Sequence, residues 1–318
     1  MKLEYQVAIA FGLDLLLGDP RWLPHPVKLI GRLAAWLEAP LRRLVPVARA
    51  AGILLIVAVL GTTGAATWLL TQAAGRLHPV AGDLVAVLLL YTCLAARDLT
   101  RHSGRVARAL AGGDVVEARR RVALMVGRDT ERLEEAQVVR AAVESVAENL
   151  VDGVTAPIFY ALLGGPVGAM VYKAVNTLDS TFGYKNERWL EFGWASARLD
   201  DAVNWLPARL TAPLVPAAAA LLGLRPLNAL RIVLRDRRKH PSPNAGFPEA
   251  AVAGALGVQL GGLNYYFGRA SERPRIGDPL QPLTRRHIGQ ANRLMLVTSG
   301  LALVLFALLR SAILGGLR

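Results

Sequence analysis

The chain has 318 residues, 53% of them hydrophobic and 19% charged, with a formal net charge of +13. Soluble domains carry about 25% charged residues, so this composition argues against an ordinary soluble globule. The single cysteine, Cys93, excludes an internal disulfide and any cysteine metal centre.

Residues 3–19 form an apolar run that carries Glu4 and Asp14 and has no small-residue cleavage site after it. Removable signal peptides start basic and keep acids out of their core, so this run reads as a retained membrane segment. His25 follows between two prolines. A proline-stiffened loop holds the ring rigidly, which makes His25 a substrate-binding candidate; a plain structural role is the alternative. Residues 51–74 carry no charge, and 84–96 with the preceding Pro79–Asp83 are nearly as apolar. Stretches of about 20 apolar residues span a bilayer core, so these two are expected to cross as a hairpin. A third such run covers 294–309.

Residues 97–142 differ in kind, with ten arginines and seven acids. Leu133, Ala136, Val139, Val143 and Val146 recur at helical spacing. They predict an amphipathic helical segment at the membrane surface. Glu144, Glu148 and Asp152 then recur every four residues and run straight into an apolar stretch. On a helix they share one face. Uncompensated acids near a membrane cost several kcal/mol, on the order of the penalty for any buried charge. An arginine or lysine from another segment, or a divalent cation, is expected to neutralise them, unless the face is simply solvated. Magnesium suits one or two carboxylates plus substrate phosphates, which makes these three acids candidate metal ligands. Asn149 beside them is a substrate-binding candidate.

The apolar stretch 157–172 is broken at Gly164-Gly165-Pro166. Next come Lys173, Asn176 and Asp179, then Lys185, Arg198, Asp200, Asp201 and Asn204, interleaved with Trp189, Trp194 and Trp205. The tryptophans suit a membrane interface. Polar groups between membrane segments are functional by default. Further breaks fall at Pro207, Pro213 and Pro216, and at the glycines of 250–268. Interrupted segments of this kind suit re-entrant or tilted elements enclosed by protein. His240, Ser242 and Asn244 lie on a proline-rich loop that leads into a helix at Pro248-Glu249, like an anion-binding turn. Nearly every loop is basic, which favours the cytoplasmic side. The basic residues flank apolar runs, where anionic headgroups attract them, so the net charge is no argument for nucleic acid. The chain has no P-loop, GxGxxG after a strand, HExxH or GxSxG.

The expected fold is therefore all-α: a polytopic integral membrane protein with several Gly/Pro-broken helices. One membrane domain is expected over residues 1–318, with 97–142 as a surface segment within it.

Three stretches, DLLLGDPRWLPHPVKLIGRL, ESVAENLVDGVTAPIFYALLGGPVGAMVYKAVNTLDSTFGYKNERWLEFGWASARLDDAVNWLPARL and HPSPNAGFPEAAVAGALGVQLGG, resemble the adenosylcobinamide-phosphate synthases of cobalamin biosynthesis. The likeness runs in order along essentially the whole chain. It implies an inner-membrane ligase that joins an aminoalcohol to a propionate carboxyl of adenosylcobyric acid. The amine is commonly aminopropanol phosphate, with ethanolamine phosphate as the alternative, and ATP with magnesium is the energy source. Other late enzymes of the pathway are candidate partners, besides the bilayer.

The local reading distributes the roles. Glu144, Glu148 and Asp152 hold magnesium. Lys173, Lys185 and Arg198 pair with phosphate oxygens. Asp200 or Asp201 takes a proton from the attacking amine. Asn149, Asn176, Asp179, Asn204, His25, His240 and Asn244 bind substrate, with His240 and Asn244 on the aminoalcohol phosphate. Two other classes stand beside this one. A transporter builds its site from broken helices at mid-membrane, but no inverted repeat is visible. A scaffold for pathway enzymes explains the surface segment and leaves the acids without purpose.

Overall fold

The computed structural model describes residues 1–20, 25–184 and 186–316. Helices dominate it, and among the described residues four helical stretches are long and apolar enough to cross a membrane: Ala48–Leu77, Pro79–Ala111, Glu135–Phe182 and Arg286–Gly315. The protein is an all-α polytopic membrane protein. Ala48–Leu77 and Arg286–Gly315 contain two of the runs read from sequence, and Pro79–Ala111 contains the third but extends through residues 97–111 of the segment read as lying at the surface. The fourth is the acid-lined helix together with the broken apolar segment after it.

The chain divides into two compact units, Met1–Ala95 with Ala156–Asn204 and Leu305–Arg318, and Ala96–Thr155 with Trp205–Val304. The first unit is built from α1 (Leu3–Leu17), α2 (Pro26–Leu44), α3 (Ala48–Leu77), α4 (Pro79–Tyr91) and a later long helix, α8 (Ala156–Phe182). α3 buries Ala51, Gly52, Leu55, Ile56, Val59, Thr63 and Thr67, a stripe of small and medium side chains at near four-residue spacing. Small residues let helices approach closely in lipid. Its other faces expose Ile53, Leu54, Val57, Trp68, Leu69 and Leu70. A helix that is apolar all round while only one stripe is buried by protein requires lipid on the rest. His78 ends α3 and starts α4: its Nδ1 accepts the Val80 N–H at 3.2 Å, and Pro79 occupies the first helical turn. α8 is kinked at Gly165 (φ 61°, ψ −152°), where Pro166 cannot supply the missing backbone bond. This is the break expected at Gly164-Gly165-Pro166. Arg310, the one charge within the last apolar run, is neutralised by Glu4 at 2.9 Å and caps the Leu162 carbonyl at 2.7 Å.

The second unit holds α5 (Ala96–Ala111), α6 (Val115–Ala123) and α7 (Glu135–Leu150), which continues into a π-turn at Val151–Thr155. The chain enters this unit again within α9 (Trp194–Thr211), followed by α10 (Leu214–Leu221), α11 (Pro226–Asp236) and α12 (Gly246–Leu256). The helical reading of 97–142 matches α5, α6 and the first turns of α7. Glu134 caps the start of α7, its N–H donating to Gln137 Oε1 at 2.8 Å. The expected break near Pro213 separates α9 from α10.

The glycine-rich stretch 250–268 departs from expectation. It is a helix, α12, and then a strand. β1 (Leu260–Tyr266) pairs antiparallel with β2 (Arg269–Ile276) through a two-residue turn at Phe267-Gly268. Both turn residues have positive φ, 53° and 75°, the geometry that matches strand twist in tight hairpins. The usual Asn-Gly or Asp-Gly signal is missing because Asp129 supplies the polar group from elsewhere, accepting the Phe267 and Gly268 N–H groups at 3.1 and 2.7 Å. α13 (Arg286–Gly316) closes the chain.

Candidate functional site

Two constellations of polar side chains stand out, one in each unit. In the first unit, α8 and α9 bring together Asn176, Asp179, Asp200 and Asn204. Asn204 is only 1% exposed. It accepts from the Tyr172 hydroxyl at 2.9 Å and donates to Asp200 Oδ2 at 3.0 Å. The Tyr160 ring stacks on Tyr172 with centroids 5.1 Å apart, and its hydroxyl donates to the Val203 carbonyl at 2.8 Å. Two tyrosines of α8 therefore lock the orientation of α9 and of the amide that holds Asp200.

Burial, followed by the like charge of Asp179, pushes the Asp200 carboxyl up to about 7; Asn204 and Asn176 act in the opposite direction. Asp200 Oδ1 is out of contact with solvent and has no well-formed hydrogen bond among the described residues. Gly183 closes the other side of Asp179. A Cβ there would collide with Asp179 Oδ1 and lie 2.7 Å from its carbonyl oxygen. Gly183→Ala must therefore displace Asp179. The expected result is a loss of activity of about 10²-fold, the cost of a misplaced site group, with the fold retained. Steady-state rates beside a thermal melt check it.

The remaining candidates of this unit are more dispersed. Asp201 also acts on Asp179 and Asp200 through its charge. Arg198 is 69% exposed and reaches Asp201 only at 3.9 Å, a solvated pair of small energetic weight. Lys173 is half-buried on α8, within electrostatic range of Cys93. His25 Nε2 lies 3.4 Å from Asp19 Oδ1 at the start of α2. Lys185 lies outside the described residues.

In the second unit the acid stripe of α7 splits. Glu144 is 6% exposed and accepts from Arg128 Nη2 at 2.6 Å and from the Gly261 N–H at 2.8 Å, with Arg140 Nε at 3.8 Å. The same arginines hold the hairpin: Arg128 donates to Asn264 Oδ1, and Arg140 donates to the Gly261 carbonyl, to Leu263 O at 2.7 Å and to Asn264 Oδ1 at 2.9 Å. Arginine, one of the two expected neutralisers, is thus what meets Glu144. Glu148, one turn on, is exposed. Asp152 falls in the π-turn, where the four-residue register loosens. Asn149 folds back on its own helix, its Nδ2 donating to Ser145 O at 2.9 Å. Among the described residues no group of three or more His, Cys, Asp or Glu side chains is arranged to hold a metal.

Glu249, on α12, is 3% exposed. Burial, and then the charges of Glu144 and Glu148, push its carboxyl well above the ordinary range, against the opposing charges of Arg273 and Arg128. His240 Nε2 lies 3.5 Å from Glu249 Oε1, and its Nδ1 accepts the Ser242 N–H at 3.0 Å. Burial and then the Arg273 charge lower the imidazole to about 4. His240 is accordingly a neutral ring built into the loop. The amides of Asn244 and Ala245 donate to Ser242 Oγ, each at 3.3 Å. The Ser242, Asn244 and Ala245 amides of this turn thus bond within the loop itself.

Sequence reading missed Arg128, Arg140, Glu249 and Tyr172. The two arginines belong to the ten of a segment read as surface, and nothing local marks them as turned inward. Glu249 was visible only as a first-turn acid of its helix.

The CobD/Cbib protein family model matches residues 7–295. A cobalamin biosynthesis protein CobD of Geobacter metallireducens is 58% identical over 277 residues, covering 87% of each chain. One of Pelobacter propionicus is 51% identical over 311 residues, covering 98% of this chain and 96% of its own. A cobalamin biosynthesis protein CbiB of Salmonella typhi is 47% identical over 310 residues, covering 96% and 97%. No solved structure matches the chain. With a family match over most of its length and relatives at this identity, the chain belongs to the CobD/Cbib protein family.

Proposed function

We propose that this protein acts in cobalamin biosynthesis as an amide ligase of the cytoplasmic membrane, joining an aminoalcohol phosphate to a propionate carboxyl of adenosylcobyric acid in a reaction driven by ATP. The main support is the Asp179–Asp200 pair, with Asp200 held by a buried asparagine and pushed up to about 7. A carboxylate is a poor acyl donor. Its oxygen attacks the γ-phosphorus of ATP, the bond to ADP breaks, and an acyl phosphate forms. The amine nitrogen then attacks the acyl carbon and inorganic phosphate leaves. The amine must shed a proton to do so, and an ionised Asp200 accepts it. A base is most effective when its pKa lies near the working pH.

Glu148 and Asp152 are the acids that fit magnesium. Two oxygen donors close in sequence, one of them exposed, match the sparse protein share of a magnesium–nucleotide site. A magnesium ion held there would neutralise charge on the phosphates. Lys173, Lys185 and Arg198 remain the proposed partners of phosphate oxygens. Asn176 and Asn204 orient Asp200. Glu148→Gln is expected to raise the magnesium needed for half-maximal rate at least about tenfold. A magnesium titration of the synthesis rate tests it, and an unchanged titration removes the assignment.

The deciding experiment supplies the purified protein in detergent with magnesium, ATP, adenosylcobyric acid and aminopropanol phosphate, and looks for the amide by mass spectrometry. ATP turnover that requires acid and amine together, with product, is the expected result. Turnover or corrinoid binding without amide formation would favour the transporter reading.

A further inference from the structure

A cavity of about 580 Å³ lies in the second unit, lined by Trp205, Arg209, Arg237, Arg238, Ser242 and Phe247. Its lining carries three arginines and no acid. α11 and the turn after it carry five cations. Three are matched by acids: Arg231 with Asp278, Arg235 with Asp236 and Asp278, and Lys239 with Asp236. Asp236 is fully buried. Burial alone would raise its carboxyl, yet Arg235, Lys239 and the Gly277 N–H hold it well below the ordinary range. The other two, Arg237 and Arg238, line the cavity with Arg209, and among the described residues no carboxylate lies within ion-pair distance of any of the three.

Arg209 and Arg237 also converge. Their guanidinium carbons lie 4.5 and 5.9 Å from the centroid of the same Phe247 ring, and Arg209 is 4.2 Å from that of Trp205. Each is anchored through Nη1 only: Arg209 to Trp205 O at 2.7 Å and Asn244 Oδ1 at 3.2 Å, Arg237 to Leu234 O at 2.6 Å and Val233 O at 3.3 Å. The Nε and Nη2 groups of both have no protein acceptor among the described residues. Like charges held this close repel unless an anion sits among them. Guanidinium forks fixed at one end and open at the other suit bidentate binding of tetrahedral oxyanions. The volume is that of a small-molecule site, and the aromatic walls accept a short apolar group.

We infer that this cavity is a binding site for an organic phosphate, with Arg209 and Arg237 gripping the phosphate, Arg238 adding charge at the mouth, and Trp205 and Phe247 packing against the organic part. Two sources share this chemistry: a soluble phosphorylated amine and a phospholipid headgroup. Assigning the site to the amine's phosphate rests on the ligase reading; the phosphate site itself does not.

The test reads binding without synthesis. The full-length protein in detergent is treated with phenylglyoxal, with and without O-phosphoethanolamine, and arginine modification is mapped by mass spectrometry. Protection of Arg209 and Arg237 is expected, while Arg231, outside the cavity, is modified equally in both. Calorimetry should show Arg209→Gln with Arg237→Gln weakening O-phosphoethanolamine binding at least about tenfold, the loss of one charged hydrogen bond or more. A second arm uses nanodiscs of phosphatidylcholine alone or with phosphatidylglycerol. Protection by phosphatidylglycerol nanodiscs and not by O-phosphoethanolamine assigns the site to lipid headgroups. Equal modification of Arg209 and Arg237 under every condition overturns the inference. Because that readout uses the unmodified protein, it stands even if the double variant fails to fold.

Discussion

Asp200→Asn is expected to lower amide synthesis by about 10²- to 10⁴-fold, the usual contribution of a positioned general base, with thermal stability in detergent close to that of the parent. Asparagine keeps the shape and still meets Asn204, but it cannot accept the amine's proton. The pH profile gives the sharper test. Asp200 must be ionised to act, so kcat/KM for the amine should rise with pH through about 7 and level off above it. Burial is the larger cause of that position and the Asp179 charge the second. Removing the like charge with Asp179→Asn makes ionisation of Asp200 easier and moves the limb to lower pH. A limb that stays in place in Asp179→Asn, or full activity in Asp200→Asn, would remove Asp200 from the role of base.

The second large effect concerns stability. Glu144→Ala leaves the buried Arg128 guanidinium without its carboxylate and removes the acceptor of the Gly261 N–H. Breaking one partner of a buried ion pair costs about 3–5 kcal/mol, and here the loss should fall on the β1–β2 hairpin. A lowered unfolding midpoint in detergent, with the hairpin opened to proteolysis, is the expected outcome. Replacing both partners, Glu144→Leu with Arg128→Met, should recover much of the loss, because no charge is then stranded. The loss should not depend on magnesium concentration. A magnesium-dependent loss would return Glu144 to the metal site.

Asp200 and Glu144 show how differently residues of similar chemistry are legible. Asp200 and Asn204 lie four residues apart on one helix, so their hydrogen bond follows from helical geometry alone. Glu144 and Glu148 share the same spacing, yet one is buried against arginines and the other exposed. The neutraliser of Glu144 comes from Arg128, sixteen residues away, and its backbone donor from the hairpin more than a hundred residues on. Helical periodicity says nothing about such partners. His240 shows the converse. Its place on a proline-rich loop suggested an anion site, whereas the fold has already used its ring and the adjacent amides to shape the loop. Arg209 and Arg237 instead stand beside that loop, with no carboxylate at ion-pair distance among the described residues.

Local chemistry was enough to set the solvent, most of the secondary structure and the breaks at Gly165-Pro166 and near Pro213, though not one at Pro207, which lies inside α9. Apolar runs of membrane length, the Gly165-Pro166 kink and the amphipathic segment follow from side-chain hydration and backbone geometry within a few residues. The β1–β2 hairpin escaped because its turn draws the needed acceptor from Asp129, far away in the chain. The fold decided which charges meet. The apposition of Asp179 to Asp200, the arginines on Glu144, the raised carboxyl of the buried Glu249 and the guanidinium groups that converge on Phe247 all depend on contacts between elements distant in sequence. Coulomb and desolvation energies change steeply over a few ångströms, so only the folded chain sets them.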